Sequence, residues 1–191
     1  MNKKMTGIFS AFGLAGLLIG CGSSTAQWDE DVEINTGEII VVHRVDRFAE
    51  RVSSGANGIG TSYQPAGRSY AFAWKGKQYV YSDDTDKFKG ALLISVDPVA
   101  GAVSIVDWND DCAKKGYVEY KWESNQWKMQ QEISPRLIGA PRNLMAYWSS
   151  VNPIPAHVDQ LYKYQRDTSP NSRSALMSVD PKFVAMQCRS K

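Results

Sequence analysis

Ser69-Tyr70-Ala71-Phe72-Ala73-Trp74, then Lys75-Gly76, then Lys77-Gln78-Tyr79-Val80-Tyr81-Ser82 is the stretch on which the fold turns. Two aromatic and β-branched runs flank a two-residue link containing glycine, and that pattern is a β-hairpin signal. The same grammar recurs downstream. Ala91 to Val96 and Ala102 to Val106 are separated by Asp97-Pro98-Val99-Ala100-Gly101, where proline presets one turn dihedral and glycine accepts a positive one. Tyr117 to Trp122 and Gln126 to Gln130 flank Glu123-Ser124-Asn125. Val118, Tyr120 and Trp122 share one parity and Glu119 and Lys121 the other, which predicts a strand with one dry and one wet face.

Upstream, Glu38-Ile39-Ile40-Val41-Val42-His43-Arg44-Val45-Asp46 is rich in β-branched residues and reads as a strand. Asp46 is placed to cap a short helix through Arg47 to Val52, with Gly55 as its stop. A second short helix is expected within Pro141 to Ser150, although Tyr147 and Trp148 suit a strand equally well. Pro135, Pro141, Pro153 and Pro155 exclude one long helix there. The expected fold class is mainly β with minor α: a single antiparallel β domain over residues 38–191, built from successive hairpins with one or two short helices. Leu93 to Pro98 resembles Leu176 to Pro181 in sequence, read either as a duplicated half or as chance recurrence of a strand ending in Asp-Pro.

The N-terminus carries the address. Lys3 and Lys4 precede an apolar run from Ile8 to Ile19 that is too short to span a bilayer, so residues 1–20 read as a signal peptide. Leu18-Ile19-Gly20-Cys21 resembles the lipobox of bacterial lipoproteins. That resemblance implies cleavage behind Gly20 and acylation of Cys21, with palmitate-type chains holding the protein to a membrane. Gly22 rather than Asp follows Cys21, and by resemblance to enteric lipoproteins this favours the outer membrane, with the body facing the periplasm. Residues 21–37, small and polar and then acidic at Asp29, Glu30, Asp31 and Glu33, are expected to form a flexible tether reaching about 20 Å.

Removing residues 1–20 leaves as many Lys and Arg as Asp and Glu, so charge gives no argument for nucleic-acid binding. Cys112 and Cys188 remain beside the lipidated Cys21. In an oxidising envelope they are expected to form a disulfide, and two buried free thiols are the alternative. No metal or cofactor is expected: His43 and His157 are isolated, and no Cys or His stands at zinc-site spacing. His43 reads as a side chain on a sheet face and His157 as a solvated loop residue, each against a role as catalytic base. No Gly-x-Ser-x-Gly elbow occurs. Gly55-Ala56-Asn57-Gly58-Ile59-Gly60 lacks the helix start of a phosphate loop and reads as a mobile surface loop.

Asp83-Asp84-Thr85-Asp86 and Asp107-Trp108-Asn109-Asp110-Asp111 read as solvated turns, as weak calcium candidates without EF-hand spacing, or as a patch steering a basic partner. The six Trp, nine Tyr and six Phe serve either the core or an interface.

Val41-Val42-His43-Arg44-Val45-Asp46-Arg47-Phe48, opening a β-rich body shortly after a lipoprotein N-terminus, resembles the start of immunity lipoproteins paired with type VI secretion lipase effectors. The resemblance implies a noncatalytic protein that binds and neutralises an incoming lipase. A structural or assembly lipoprotein of the envelope is the alternative function, and an unrecognised envelope hydrolase the third.

Overall fold

The computed structural model describes residues 23–55, 58–83, 91–109, 116–145, 154–167 and 179. Cys21, Cys112 and Cys188 lie outside the described residues, as do Asp84 to Asp86, Asp110 and Asp111, and all of the downstream copy of the Asp-Pro repeat except Val179. The fold is mainly β. In chain order the strands are β1 (Ser23–Glu33), β2 (Ile39–Gly55), β3 (Gly58–Trp74), β4 (Lys77–Asp83), β5 (Ala91–Val96), β6 (Val103–Asn109), β7 (Gly116–Glu123), β8 (Gln126–Met129) and β9 (His157–Val158). A 3-10 turn spans Pro135–Leu137, and one helix, α1, spans Gln160–Asp167.

Two sheets result, one ordered β4-β3-β2-β1-β9 and the other β5-β6-β7-β8. Pairing is antiparallel except where β9 runs parallel to β1. All three expected hairpins form. Lys75 (φ 48°) and Gly76 (φ 74°) both adopt positive φ between β3 and β4, as do Ser124 (φ 52°) and Asn125 (φ 62°) between β7 and β8. Two successive positive φ values give the turn twist that matches right-twisted strands.

Alternation then builds the core. Val32, Ile34, Ile40, Val42, Tyr70, Phe72, Trp74, Tyr79 and Tyr81 of the larger sheet bury against Ile94, Val96, Val103 and Ile105 of the smaller one, with Tyr120, Trp122 and Trp127 at the margin. Aromatics join strands and layers: Phe72 stacks on its cross-strand partner Tyr79 within the larger sheet at 5.2 Å, and Tyr79 meets Trp122 of the smaller sheet edge-on at 5.5 Å. Tyr81 Oη donates to Asp107 Oδ2 across the layers at 2.6 Å, so a member of the second acidic cluster is a buried acceptor rather than a solvated turn residue.

Several expectations are corrected. Ser23–Glu33, read as tether, are β1, paired along its whole length with β2 and burying Trp28, Glu30 and Val32. The acidic residues that suggest a linker alternate with buried ones, which is strand periodicity. The helix expected from Arg47 to Val52 is instead strand, because β2 continues to Gly55 with β3 opposite it from Pro65 to Gly58. Ladder pairing there overrides the capping signal of Asp46. Of the glycine-rich stretch, Gly55 ends β2 opposite Gly58, and Gly58 to Gly60 begin β3, so these residues are strand rather than loop; residues 56–57 lie outside the described residues. Pro141 to Met145 contain no helix, and residues 146–150 lie outside the described residues.

Glu119 is another. Tyr120 and Trp122 of β7 border the core, but the second face of the smaller sheet is covered too, and its Tyr117 and Glu119 are more deeply buried than Val118 and Trp122. Leu93, Val106 and Tyr117 pack there against Leu137 and Val179. Glu119 is fully buried, accepting from Ser104 Oγ and from the Ser134 backbone N–H, each at 2.7 Å.

Candidate functional site

Two constellations of polar residues emerge, one on each face of the larger sheet. The inward one is closed. Glu30 on β1 accepts from Arg44 Nη1 at 2.8 Å and from the Met145 N–H at 2.6 Å, and it lies 3.2 Å from Lys163 Nζ of α1. Arg44 also donates to the Met145 carbonyl at 2.6 Å, with its guanidinium 4.5 Å from the Trp28 ring centre and 4.9 Å from that of Tyr70. Lys163 donates to the carbonyls of Asp31 and Asn143 at 2.7 Å. Asp46 stands 3.8 Å from Arg44 and 3.4 Å from Arg68.

Burial disfavours the Glu30 carboxylate, but the Arg44 and Lys163 cations and the two hydrogen bonds outweigh it and hold the group below the ordinary Glu range. At Asp46 burial wins over Arg44 and Arg68, and the carboxyl is raised. Burial also pushes the Tyr70 hydroxyl up to about 12. Glu30, Arg44 and Asp46 are all within 1% of complete burial. Besides one another, their partners include the Met145 backbone and the Lys163 ammonium of α1, which itself donates to the Asn143 carbonyl, so this cluster clamps residues 143–145 and α1 onto β1 and β2. A substrate has no contact surface there.

The outward constellation is open. Strand parity turns Ile39, Val41 and His43 of β2, Asp29 and Asp31 of β1, Ala73 of β3 and Val80 of β4 away from the core. The registers align Val80, Ala71, His43, Asp29 and His157 in one row across all five strands. The two histidines, isolated in sequence, therefore flank the same strand. His43 Nδ1 donates to Asp29 Oδ1 at 2.8 Å, and His157 Nε2 lies 3.2 Å from Asp31 Oδ1. Both imidazoles are about half exposed, His43 at 51% and His157 at 52%. Beside them Ile39, Val41 and Val80 are each more than half exposed.

This face joins an apolar area on β2 to β4 with an acidic and histidine-bearing strip on β1 and β9. Its chemistry suits association: apolar side chains offer area to remove from water, and Asp29, Asp31 and Glu33 favour cationic groups opposite them. Among the described residues no group of three His, Cys, Asp or Glu side chains converges to hold a metal ion. Nor is any described helix long and apolar enough to cross a membrane.

Sequence reasoning did not find Glu30, Arg44, Asp46, Arg68 or Lys163. Parity was the available signal for the first three, since Trp28, Glu30 and Val32 alternate together, as do Val42, Arg44 and Asp46. Lys163 required knowledge of where α1 docks. Comparison with known proteins finds no matching family, curated protein or solved structure.

Proposed function

We propose that this chain is a noncatalytic lipoprotein of the cell envelope, held by an acylated Cys21 at the outer membrane and facing the periplasm. There it binds a partner protein through the open face of its larger sheet. The observation carrying this reading is the combination on that face of exposed Ile39, Val41 and Val80 with Asp29 and Asp31. Large apolar side chains grouped on one sheet face are characteristic of interaction sites. The acidic strip beside them favours a partner with a mixed apolar and basic surface. In its most specific form the reading is an immunity protein that neutralises a type VI secretion lipase effector. Support for that form comes from the resemblance of Val41 to Phe48, which lie on the strand at the centre of the larger sheet.

A pull-down from envelope extract with the form beginning after Cys21, in the presence of the product of the adjacent gene, tests it. Recovery of a lipase whose activity the bound protein suppresses is the expected result. Recovery of an envelope-assembly component replaces immunity with an assembly role, and recovery of no protein partner overturns the binding reading.

A further inference from the structure

The larger sheet is not flush at its two ends. β1 begins pairing at Ser23 opposite Ala49, and β4 last pairs at Asp83 opposite Arg68. Beyond those positions β2 from Glu50 to Gly55 and β3 from Gly58 to Gln64 have, among the described residues, only each other as ladder partners. The result is a two-stranded arm. Six residues separate Ala49 from Gly55, so it projects about 20 Å past Ser23 at the usual rise per residue.

The direction of projection is set by the antiparallel pairing. The arm points the way the chain runs back from Ser23 toward Cys21. Only two links join those residues, so Cys21 reaches no farther along the strand axis than the level of Arg51. At least four residues of β2, about 13 Å, remain beyond it. That exceeds the headgroup layer of one leaflet, about 5–8 Å thick, so an arm kept out of the hydrocarbon core lies along the surface with its strand axis inclined to the membrane normal.

We propose that this arm is a membrane-contacting element, lying in the headgroup layer of the leaflet that holds the acyl chains of Cys21. The inference rests on acylation of Cys21. A bilayer anchored there cannot lie against the end of the sheet without meeting the arm. Composition agrees with the location, because no charged residue occurs from Ser53 to Gly67, while Glu50 and Arg51 stand at the root. Charges are costly to bring into the bilayer. Along both outer edges of the arm no further strand pairs among the described residues, and an open strand edge suits the hydrated interface rather than the hydrocarbon core. Val52, 63% exposed, presents an apolar side chain from the arm.

The test uses the full chain, acylated in cells and reconstituted into vesicles of phosphatidylethanolamine and phosphatidylglycerol. A photo-crosslinking residue replaces Val52, or Ile59 in a second variant. A control variant carries it at Ile39, which is 58% exposed but pairs with Glu33 at the opposite end of β1, about 33 Å from Ser23. Mass spectrometry of the N-terminal peptide reports acylation in each sample. Acylated protein with lipid adducts at 52 and 59 several-fold above those at 39 is the expected result. Acylated protein with equal or absent adducts at all three positions overturns the arm's role and leaves the anchor standing. An unacylated Cys21 overturns both.

Discussion

Glu30 shows how far a single carboxylate organises this molecule. It is fully buried, yet hydrogen bonds and two cations hold it ionised, and each partner belongs to a different part of the chain. Removing one member of a buried ion cluster leaves the others uncompensated, which typically costs about 3–5 kcal/mol. Glu30→Ala is therefore expected to lower the urea midpoint strongly, while Glu33→Ala, on the exposed side of the same strand, leaves it nearly unchanged.

The sign of the pH dependence follows from the same carboxylate. A depressed folded-state value means that the unfolded chain binds the proton more readily as acid is added. Stability from Glu30 is thus fully present above the ordinary Glu value of 4.5 and is lost as pH falls below it toward the folded-state value. Asp46 works oppositely. Its raised folded-state value means that ionising it as pH climbs through and above the ordinary Asp value of 3.8 costs stability. Asp46→Asn is expected to compare more favourably with the natural chain at pH 7 than at pH 4, measured by denaturant unfolding at both. A comparison that worsens from pH 4 to pH 7 contradicts this assignment.

At the scale of elements, turns and edges decide. Gly76 sits at positive φ in the β3–β4 turn with open space where a Cβ would stand, so Gly76→Ala incurs backbone strain without a clash. A loss of about 1 kcal/mol in unfolding free energy is expected. Edge strand β5 is closed by two asparagines acting as surrogate strand. Asn35 accepts from the Val96 N–H and donates to its carbonyl, and Asn143 does the same at Ile94. Asn143→Ala uncovers two backbone groups of β5. Faster amide exchange at Ile94, with Ile105 of the neighbouring strand unaffected, is the expected signature.

The hairpins around Lys75-Gly76, residues 97–101 and Ser124-Asn125 were legible because turn chemistry and alternation are local. Asp46 misled because its capping signal is local too, whereas β3 comes to lie beside β2 only through the hairpin that joins them. Glu119 and the acidic residues of β1 misled for a related reason. Polarity marks a wet face only when nothing packs over it, and the coverings, Ser134 to Leu137 in one case and Met145 with α1 in the other, come from distant sequence. The pairing of His43 and His157 across Asp29 likewise depends on a parallel strand of two residues, too short to leave a periodic signal. Asp159, whose carboxylate accepts from the Tyr162 N–H and caps α1, was legible in principle, although only eight helical residues follow it.

For the whole molecule, the change from tether to strand matters most. With β1 beginning at Ser23, the proposed anchor at Cys21 would hold the sandwich against the membrane rather than on a long flexible lead. Under the proposed function, the open sheet face, running from the arm to the far end of β1, would stand across the surface that a lipid-degrading partner must approach. Anchoring raises the local concentration of that face at the membrane without adding a contact.

The open face of the larger sheet is the proposed partner-binding surface. Isothermal titration of the partner recovered by pull-down against the natural form and against the double variant Val41→Glu, Val80→Glu tests it most directly, with thermal unfolding of both forms alongside. Both valines are more than half exposed, so the variant is expected to fold with a similar melting temperature. Weakening of at least about tenfold, equivalent to about 1.4 kcal/mol, is predicted. Unchanged affinity in a folded double variant would rule out binding through this face.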